Sequence, residues 1–407
     1  MPSFGEGRIS SRSGRAERER GETTRSGRAG ATIPTRGGSS PDYGSSVVRS
    51  YGIRPEVDEK IRELVELAGA APNQDLTYEL ITTVLKLYRD KASRGDLKLV
   101  NTALKEMRYS ILVFARHFDP KVTIFGSARI PAGDPNYILA EEVARQMAAR
   151  GWGVITGAGP GVMEAGSKGA GKEHAYGVNI RLPFEPDSNS FIDPERNVNY
   201  KYFFTRKLTF IKESAAFALF PGGFGTLDET FELFTLMQTG KSDLHPIVLM
   251  EAPGTGYWPA LLEFCSNVLV AQGLISPSDM NLFKLTGDAE DAVEHILDFY
   301  SNYHSQRFVE GRLVLRIRRA PDPETLADLS REFADVLVSG SMEIVEPSAA
   351  EIADADNVDL VRLALHFDRR SYGRLRVLID RLNRLVATPE HVQPPPPFEE
   401  EQAERPW

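Results

Sequence analysis

Apolar residues recur with two different periods along this chain, and the change of period divides it into regions. Between residues 55 and 118 they recur every three or four positions, as at Val57, Ile61 and Val65, which predicts three amphipathic helices. From 121 to 250, short and almost continuous apolar runs alternate with stretches of helical period. The apolar runs are 121–125, 152–156, 175–182, 215–220 and 246–250, and the helical stretches are 136–149, 161–170, 202–213 and 226–239. This alternation predicts a parallel sheet with helices on both faces.

After residue 306 the alternation ends. The pattern there predicts strands at 312–317, 342–345 and 361–367 and helices at 323–337 and 371–385. We therefore expect an α/β fold with a Rossmann-like doubly wound parallel sheet, an N-terminal helical segment and a small C-terminal α+β appendage. The predicted regions are a disordered basic tail at 1–52, the helical segment at 53–120, the sheet domain at 121–305, the α+β domain at 306–388 and a Pro/Glu-rich tail at 389–407.

Charge and cysteine content narrow the classes of partner. The 407-residue chain has a formal net charge of −9, which disfavours non-specific binding to nucleic acid or to anionic membranes. A basic arm for nucleic acid is an alternative for the first 50 residues, which carry nine arginines, but five acidic residues are interspersed there. The single cysteine, Cys265, cannot form an internal disulfide, and no apolar run approaches the ~20 residues of a membrane span. We expect a soluble cytoplasmic protein.

Residues 221–229 form the most informative motif of the chain, which reads PGGFGTLDE. The motif lies between a predicted buried strand and a predicted helix. Its three glycines let backbone N–H groups approach a ligand closely, and the start of a helix adds about half a positive charge. These features predict a phosphate site, and Glu229 is expected in the first helical turn beside it. A carboxylate next to a phosphate indicates chemistry on a phosphorylated substrate.

Two further glycine-containing loops follow predicted strands. Residues 125–129 read FGSAR and residues 156–165 read TGAGPGVMEA. Because ligands of parallel sheets bind at the carboxyl ends of the strands, all three loops are expected at one crevice. A dinucleotide fingerprint in the second loop is disfavoured, because it follows the second strand and position 162 is valine. A purely structural role for these glycines stays open as an alternative.

The three loops, in this order and together with the Arg206-Lys207 pair, resemble the Lonely Guy (LOG) family of nucleoside 5′-monophosphate phosphoribohydrolases, over residues 121 to about 250. The resemblance implies that Glu229 and Arg206 are catalytic and that Glu232 is a possible second carboxylate, for which a solvated or structural role is an alternative. It implies substrate or phosphate binding by Gly222, Gly223, Gly225, Thr226, Ser127, Gly157, Gly159, Gly161, Met163 and Lys207.

The implied reaction is hydrolysis of the N-glycosidic bond of a purine nucleoside 5′-monophosphate, such as AMP or a cytokinin riboside monophosphate, to free base and ribose 5-phosphate. It requires no metal and no organic cofactor, and the chain has no histidine or cysteine pattern typical of a metal site. An alternative is a nucleotide-binding regulatory or carrier protein with little hydrolytic activity. The resemblance also implies a homodimer or a higher homo-oligomer, to which Phe231, Phe234 and Met237 and an apolar stripe between Leu97 and Phe118 would contribute.

Overall fold

The strands predicted between residues 121 and 250 belong to one parallel sheet in the computed structural model, which describes residues 52–69, 73–180, 189–353, 356–386 and 394. The strands of this sheet are β1 (Lys121–Phe125), β2 (Gly153–Thr156), β3 (Ala175–Ile180), β4 (Asn197–Tyr200), β5 (Ala216–Leu219), β6 (Ile247–Met250) and β7 (Phe283–Thr286). Within the described residues their order is β4-β3-β2-β1-β5-β6-β7, and all neighbours pair in parallel.

Helices cover this sheet, and two more helices precede it. The helices up to the end of the sheet are α1 (Pro55–Leu67), α2 (Gln74–Arg89), α3 (Arg94–Phe114), α4 (Pro135–Ala149), α5 (Val162–Ala170), α6 (Phe203–Glu213), α7 (Phe224–Gln238), α8 (Tyr257–Phe264) and α9 (Ala289–Phe299). Short 3-10 segments lie at Pro194–Arg196 and Pro277–Asn281, and Cys265–Val270 is π-helical. Every residue of β1, β2, β5 and β6 is buried, which explains their almost continuous apolar sequences.

A second, antiparallel sheet follows in the C-terminal region. Its strands are β8 (Tyr303–Val309), β9 (Arg312–Ile317), β10 (Leu337–Val345) and β11 (Val361–Phe367), in the order β10-β11-β9-β8. The helices of this region are α10 (Pro323–Glu332), α11 (Ala349–Ala353) and α12 (Tyr372–Asn383), with a 3-10 turn at Ala334–Val336. The predicted fold, a doubly wound parallel sheet with an N-terminal helical segment and a small α+β appendage, is confirmed.

The chain divides into two compact units. Among the described residues, α1 and α2 belong to the unit that ends at Asp90, and they pack on each other. The second unit begins at Lys91 and contains α3, both sheets and their helices; α3 packs on α6 and β4. None of the helices in the described ranges is both long enough and apolar enough to cross a membrane. The predicted domain boundaries stay predictions; β8 begins at Tyr303, ahead of the predicted boundary at 305–306.

The sequence pattern missed or misplaced several elements. The edge strands β4 and β7 were not predicted, because their sequences, NVNY and FKLT, are short and partly polar. The helix predicted at 226–239 begins at Phe224, so Glu229 lies in the second turn of α7 and not in the first. The strand predicted at 175–182 extends at its end beyond the described residues, and so do the predicted tails, apart from Gly52 and Pro394.

Candidate active site

The three glycine-containing loops meet at the point where the strand order reverses. From β1 the chain builds the sheet through β2, β3 and β4 on one side, and β5 returns to the other side of β1. The backbone N–H of Ser127 donates to the carbonyl of Pro221 at 3.1 Å, and the N–H of Val162 donates to the carbonyl of Ser127 at 3.1 Å. Ser127 therefore joins the loops after β1, β2 and β5. A reversal of this kind creates the crevice in which doubly wound sheets bind ligands.

The loop after β5 offers an open helix N-terminus. Gly223 is the N-cap of α7 and no side chain caps the helix. A β-carbon placed on Gly223 or on Gly225 would have no atom within 4 Å, whereas one placed on Gly222 would lie 2.1 Å from Oγ1 of the buried Thr226. Gly222 is thus required for packing against Thr226, while the space above Gly223 and Gly225 is free for a ligand. Such an uncapped N-terminus suits an anion.

The glycines of the second loop make room for side chains. A β-carbon on Gly157 would lie 2.5 Å from Nη2 of Arg206 and 2.7 Å from Sδ of Met163, and one on Gly159 would lie 2.7 Å from Cε of Met163. Gly161 has a φ of 68° and its α-carbon lies so close to the Ser127 carbonyl that a side chain would overlap it. The loop thereby holds Met163 and Arg206 at the crevice.

Arg206 reaches the crevice from the first turn of the preceding helix, α6. Its Nε donates to the carbonyl of Val178 in β3 at 2.9 Å, and its guanidinium carbon lies 5.2 Å from the centre of the Phe210 ring. The backbone acceptor and the aromatic face fix the plane of the guanidinium against Gly157. Arg206 therefore presents a positioned cation beside the second glycine loop.

Lys207 lies among three carboxylates. Its Nζ is 3.1 Å from Oε2 of Glu229, 2.5 Å from Oε2 of Glu232 and 3.0 Å from Oδ2 of Asp228. The burial of Lys207 opposes its charge, but the hydrogen bonds to the three carboxylates outweigh burial and raise its pKa above the ordinary value. Lys207 is therefore a firmly protonated cation within a cluster of net negative charge.

Glu229 is the most buried of these carboxylates. Its residue is 8% exposed. Burial raises the pKa of Glu229 above its ordinary value, and Glu232 adds to this effect, while Lys207 and Arg206 oppose it. A buried carboxylate with a raised pKa beside an anion cradle has the properties of a catalytic acid or base. The more exposed Asp228 also pairs with Lys207.

Comparison with known proteins finds similar sequences. A family model described as "Possible lysine decarboxylase" matches residues 159–296. The rice (Oryza sativa subsp. japonica) protein named probable cytokinin riboside 5′-monophosphate phosphoribohydrolase LOGL3 is 30% identical over 173 residues, which cover 41% of this chain and 78% of that protein. The chain belongs to the Lonely Guy family.

Two other comparisons are with a bacterial relative and with a solved structure. A Mycobacterium tuberculosis protein named cytokinin riboside 5′-monophosphate phosphoribohydrolase is 28% identical over 159 residues, which cover 38% of this chain and 82% of that protein. A solved structure described as the molybdenum cofactor binding protein of the phototrophic bacterium Rippkaea orientalis is 19% identical with a TM-score of 0.31, and it covers 43% of this chain and 94% of that chain.

Glu106, a buried residue of α3, holds the part of α6 that carries Arg206 and Lys207. The sequence pattern did not indicate this residue. The carboxylate of Glu106 accepts hydrogen bonds from the backbone N–H of Lys201 at 2.8 Å and from Oγ1 of Thr205 at 2.6 Å. Ser110, one turn further along α3, lies 3.3 Å from Oγ1 of Thr209. Because Thr205 precedes Arg206 and Lys207, these contacts hold the start of α6. An acidic residue flanking an apolar stripe is too common a pattern to have indicated this role.

The buried face of α3 differs from the predicted apolar stripe. Buried residues of α3 are Glu106, Ser110, Val113 and Phe114, whereas Leu104 and Ile111 of the stripe are each 48% exposed. On α7, Met237 is buried and Phe234 stacks on Phe283 with ring centres 4.7 Å apart, so both are covered by their own chain. Glu106 must face α6 to accept hydrogen bonds from Lys201 and Thr205. The buried face of α3 is therefore turned away from Leu104 and Ile111.

Proposed function

We propose that this LOG-family chain hydrolyses the N-glycosidic bond of a purine nucleoside 5′-monophosphate, AMP or a cytokinin riboside monophosphate, to the free base and ribose 5-phosphate. The observation that carries the proposal is the position of Glu229, a buried carboxylate on the helix whose open N-terminus forms the anion cradle. Its relatives from rice and Mycobacterium tuberculosis carry names for this reaction on cytokinin riboside monophosphates.

The cradle would hold the 5′-phosphate of the substrate. The free space at Gly223 and Gly225 admits phosphate oxygens to the backbone N–H groups at the start of α7. Gly223 and Glu229 are separated by roughly 9 Å along the helix axis, at ~1.5 Å per residue. A ribose that extends from the cradle along α7 therefore brings C1′ towards the Glu229 carboxylate. Binding of the phosphate thus positions the bond that breaks.

Glu229 would act on C1′ and on the attacking water. As the bond between C1′ and the base nitrogen breaks, its electron pair leaves with the base and positive charge develops on the ribose. The ionised carboxylate stabilises that charge and accepts a proton from the water whose oxygen bonds to C1′; the departing base nitrogen takes up a proton in turn. The charges of Lys207 and Arg206 favour the ionised form of Glu229. Arg206 contacts a phosphate, ribose or base acceptor from the other side of the crevice.

Decarboxylation of lysine, which the description of the family model names, is not what these residues favour. A lysine that forms a Schiff base must lose its proton, and enzymes promote this by desolvation or by a neighbouring cation. Lys207 instead contacts three carboxylates that raise its pKa. The lysine of this site is therefore suited to hold charge and not to act as a nucleophile.

The decisive experiment is detection of free base by chromatography after incubation of the purified chain with AMP, a cytokinin riboside monophosphate and adenosine. We expect base release from a monophosphate and little from adenosine, because the cradle contributes orientation as well as affinity. Equal efficiency for adenosine and AMP would contradict the proposal that the loop after β5 holds the 5′-phosphate. Binding of the monophosphates without any base release would instead support a regulatory or carrier protein.

Two glycine variants test the cradle itself. Gly223→Val places its side chain in the space proposed for the phosphate, and it should weaken AMP binding by at least about tenfold with little change in thermal stability. Gly222→Val is the matched control, because its side chain overlaps Thr226 and should reduce stability first. Calorimetry measures the affinity for AMP. An unchanged affinity in Gly223→Val would show that the loop after β5 does not bind the phosphate.

We also propose that the chain forms a homo-oligomer, most simply a two-fold dimer. Leu104 and Ile111 on α3, Phe203 on α6 and Phe231 on α7 are exposed apolar side chains of the unit that contains the site. A second copy would cover them, and closed two-fold symmetry is the commonest arrangement. Light scattering at micromolar concentration tests this, and a mass near the 45.1 kDa of one chain would contradict it. The cytoplasmic location stays a prediction.

A further inference from the structure

A cavity of about 290 Å³ lies away from the three glycine loops, between the last part of the parallel sheet and the C-terminal region. Met280, Phe283 and His295 line it from the side of β7 and α9, and Arg376, Arg381 and Arg384 line it from α12 and its C-terminal end. None of these residues belongs to the proposed active site. Three arginines meet here in a chain whose formal net charge is −9, so the local charge opposes the overall charge.

Contacts with neighbouring side chains hold Arg376 in place at the cavity. Arg376, which is 2% exposed, donates from Nε to Oδ1 of Asp380 at 3.0 Å, and its guanidinium carbon lies 4.7 Å from the centre of the Phe299 ring. Its Nη2 lies 3.2 Å from Nε2 of His295. Because a guanidinium has no acceptor, Nε2 must accept this hydrogen bond and His295 must be neutral. Burial, with the nearby charges of Arg376 and Lys284, lowers the pKa of His295 to about 3, which agrees with that state.

One nitrogen of this guanidinium is not satisfied. Nη1 of Arg376 is buried and has no hydrogen-bond partner within the part of the chain that the structure describes. A buried donor of a charged group that has no acceptor has lost its hydrogen bonds to water without replacing them, which is unfavourable. An anion oxygen that reaches this nitrogen from the cavity would supply the acceptor.

The charges at the cavity favour an anion. Asp380 offsets one arginine, and Glu332 lies 3.4 Å from Nε of Arg381 at the rim. Arg384 has no carboxylate within ion-pair distance among the described residues. Three arginines and two carboxylates leave one positive charge, which favours an anion. Guanidinium groups bind phosphate oxygens in pairs, which favours a phosphate among the anions. The volume is at the lower end of ligand pockets, which fits a ligand of the size of a sugar phosphate.

The walls of the cavity are held in place without a ligand. A β-carbon on Gly373 of α12 would lie 2.0 Å from the carbonyl oxygen of Ser278, so α12 packs directly on the 3-10 segment at 277–281. Nε2 of Gln238, at the end of α7, donates to Oδ2 of Asp279 in the same segment at 2.6 Å. A preformed cavity requires little ordering when a ligand binds. We propose that this cavity, bounded by Arg376, Arg381 and Arg384, is a second anion site that binds a small phosphate monoester.

Calorimetry of the full chain at constant ionic strength tests the proposal, with ribose 5-phosphate, inorganic phosphate and acetate as probes. The measurements use a Gly223→Val background, so that binding to the loop after β5 is obstructed. We expect one ribose 5-phosphate per chain in this background, weaker binding of inorganic phosphate and none of acetate. Replacing both rim arginines, Arg381→Gln with Arg384→Gln, should reduce the affinity for ribose 5-phosphate by at least about tenfold.

Arg374→Gln is the matched control, because Arg374 lies on the same helix but pairs with Asp335 outside the cavity. It should leave the affinity for ribose 5-phosphate within about twofold. Absence of binding in the Gly223→Val background, an unchanged affinity in the double arginine variant, or equal binding of acetate would each overturn the proposal. None of these results bears on base release, which depends on Glu229. The exposed rim arginines are used because replacing the buried Arg376 could prevent folding.

Discussion

The cluster around Lys207 in the active site and the cluster around Glu351 in the C-terminal region are both built from acids and bases on different elements, but their charge balances are opposite. In the first, one lysine contacts Asp228, Glu229 and Glu232. In the second, Glu351 contacts Arg307, Arg316 and Arg362, and Asp356 contacts the first two of these arginines. Among the residues that the structure describes, the first has acids in excess and the second has bases in excess.

The two central glutamates show what this difference does. Both are buried, but the pKa of Glu229 is raised, whereas the pKa of Glu351 is lowered to about 2. Burial raises both values. At Glu351 the hydrogen bonds from Ser348 and Arg316 and the charge of Arg362 outweigh burial, while at Glu229 the single lysine is shared with two other carboxylates. A carboxylate that is incompletely compensated is available for chemistry, and one that is fully compensated holds the fold together.

The largest expected effect is on catalysis. Glu229→Gln should reduce the rate of base release by about 10²- to 10⁴-fold, because the amide cannot take the proton of the attacking water. The affinity for AMP should stay within about tenfold, since the cradle is unchanged. Glu351→Gln, assayed below its unfolding temperature, should retain base release. Near-normal turnover of Glu229→Gln would remove Glu229 from the assigned role.

The second effect is on stability, to which we expect Glu351 to contribute more than Glu229. Glu351→Gln should lower the free energy of unfolding by about 3–5 kcal/mol, because Arg307, Arg316 and Arg362 each lose a carboxylate partner. Glu229→Gln should change it little, because Lys207 keeps two carboxylates. Urea unfolding followed by circular dichroism measures both. A larger loss in Glu229→Gln than in Glu351→Gln would refute the comparison.

Acid should separate activity from folding. Glu229 must be ionised, so base release should decline as the pH falls through a pKa above 4.5. Glu351 has a folded-state pKa of about 2 against an ordinary value of 4.5, so its stabilisation is complete above 4.5 and is lost between 4.5 and 2. A pH series of initial rates and of circular dichroism should therefore show reversible loss of activity in folded protein. Loss of activity and of the circular dichroism signal at the same pH would contradict the opposite pKa shifts of Glu229 and Glu351.

The smallest effect is expected at Glu232. Its charge raises the pKa of Glu229, so Glu232→Gln should move the acidic limb of the rate profile to lower pH and change the maximal rate by less than about tenfold. A shift in the opposite direction would show that Glu232 acts mainly by holding Lys207. An effect as large as that of Glu229→Gln would make Glu232 the second catalytic carboxylate.

Local sequence determined the elements and the loops of this protein. Apolar runs predict β1, β2, β5 and β6 because strands buried on both faces need no polar positions. The motif at 221–229 predicts the turn before α7, since its geometry depends on neighbouring residues. Those patterns, with their order along the chain, were enough to predict the doubly wound fold and the meeting of three loops.

Tertiary structure alone decided which side chains meet. The edge strands β4 and β7, the contact of Glu106 with α6, and the sharing of Lys207 by three carboxylates of α7 all join residues far apart in the chain. The cluster around Glu351 and the arginine cavity likewise depend on how helices and strands pack. A charged residue has the same local pattern whether it faces solvent or a partner, because its pairing depends on the docking of another element.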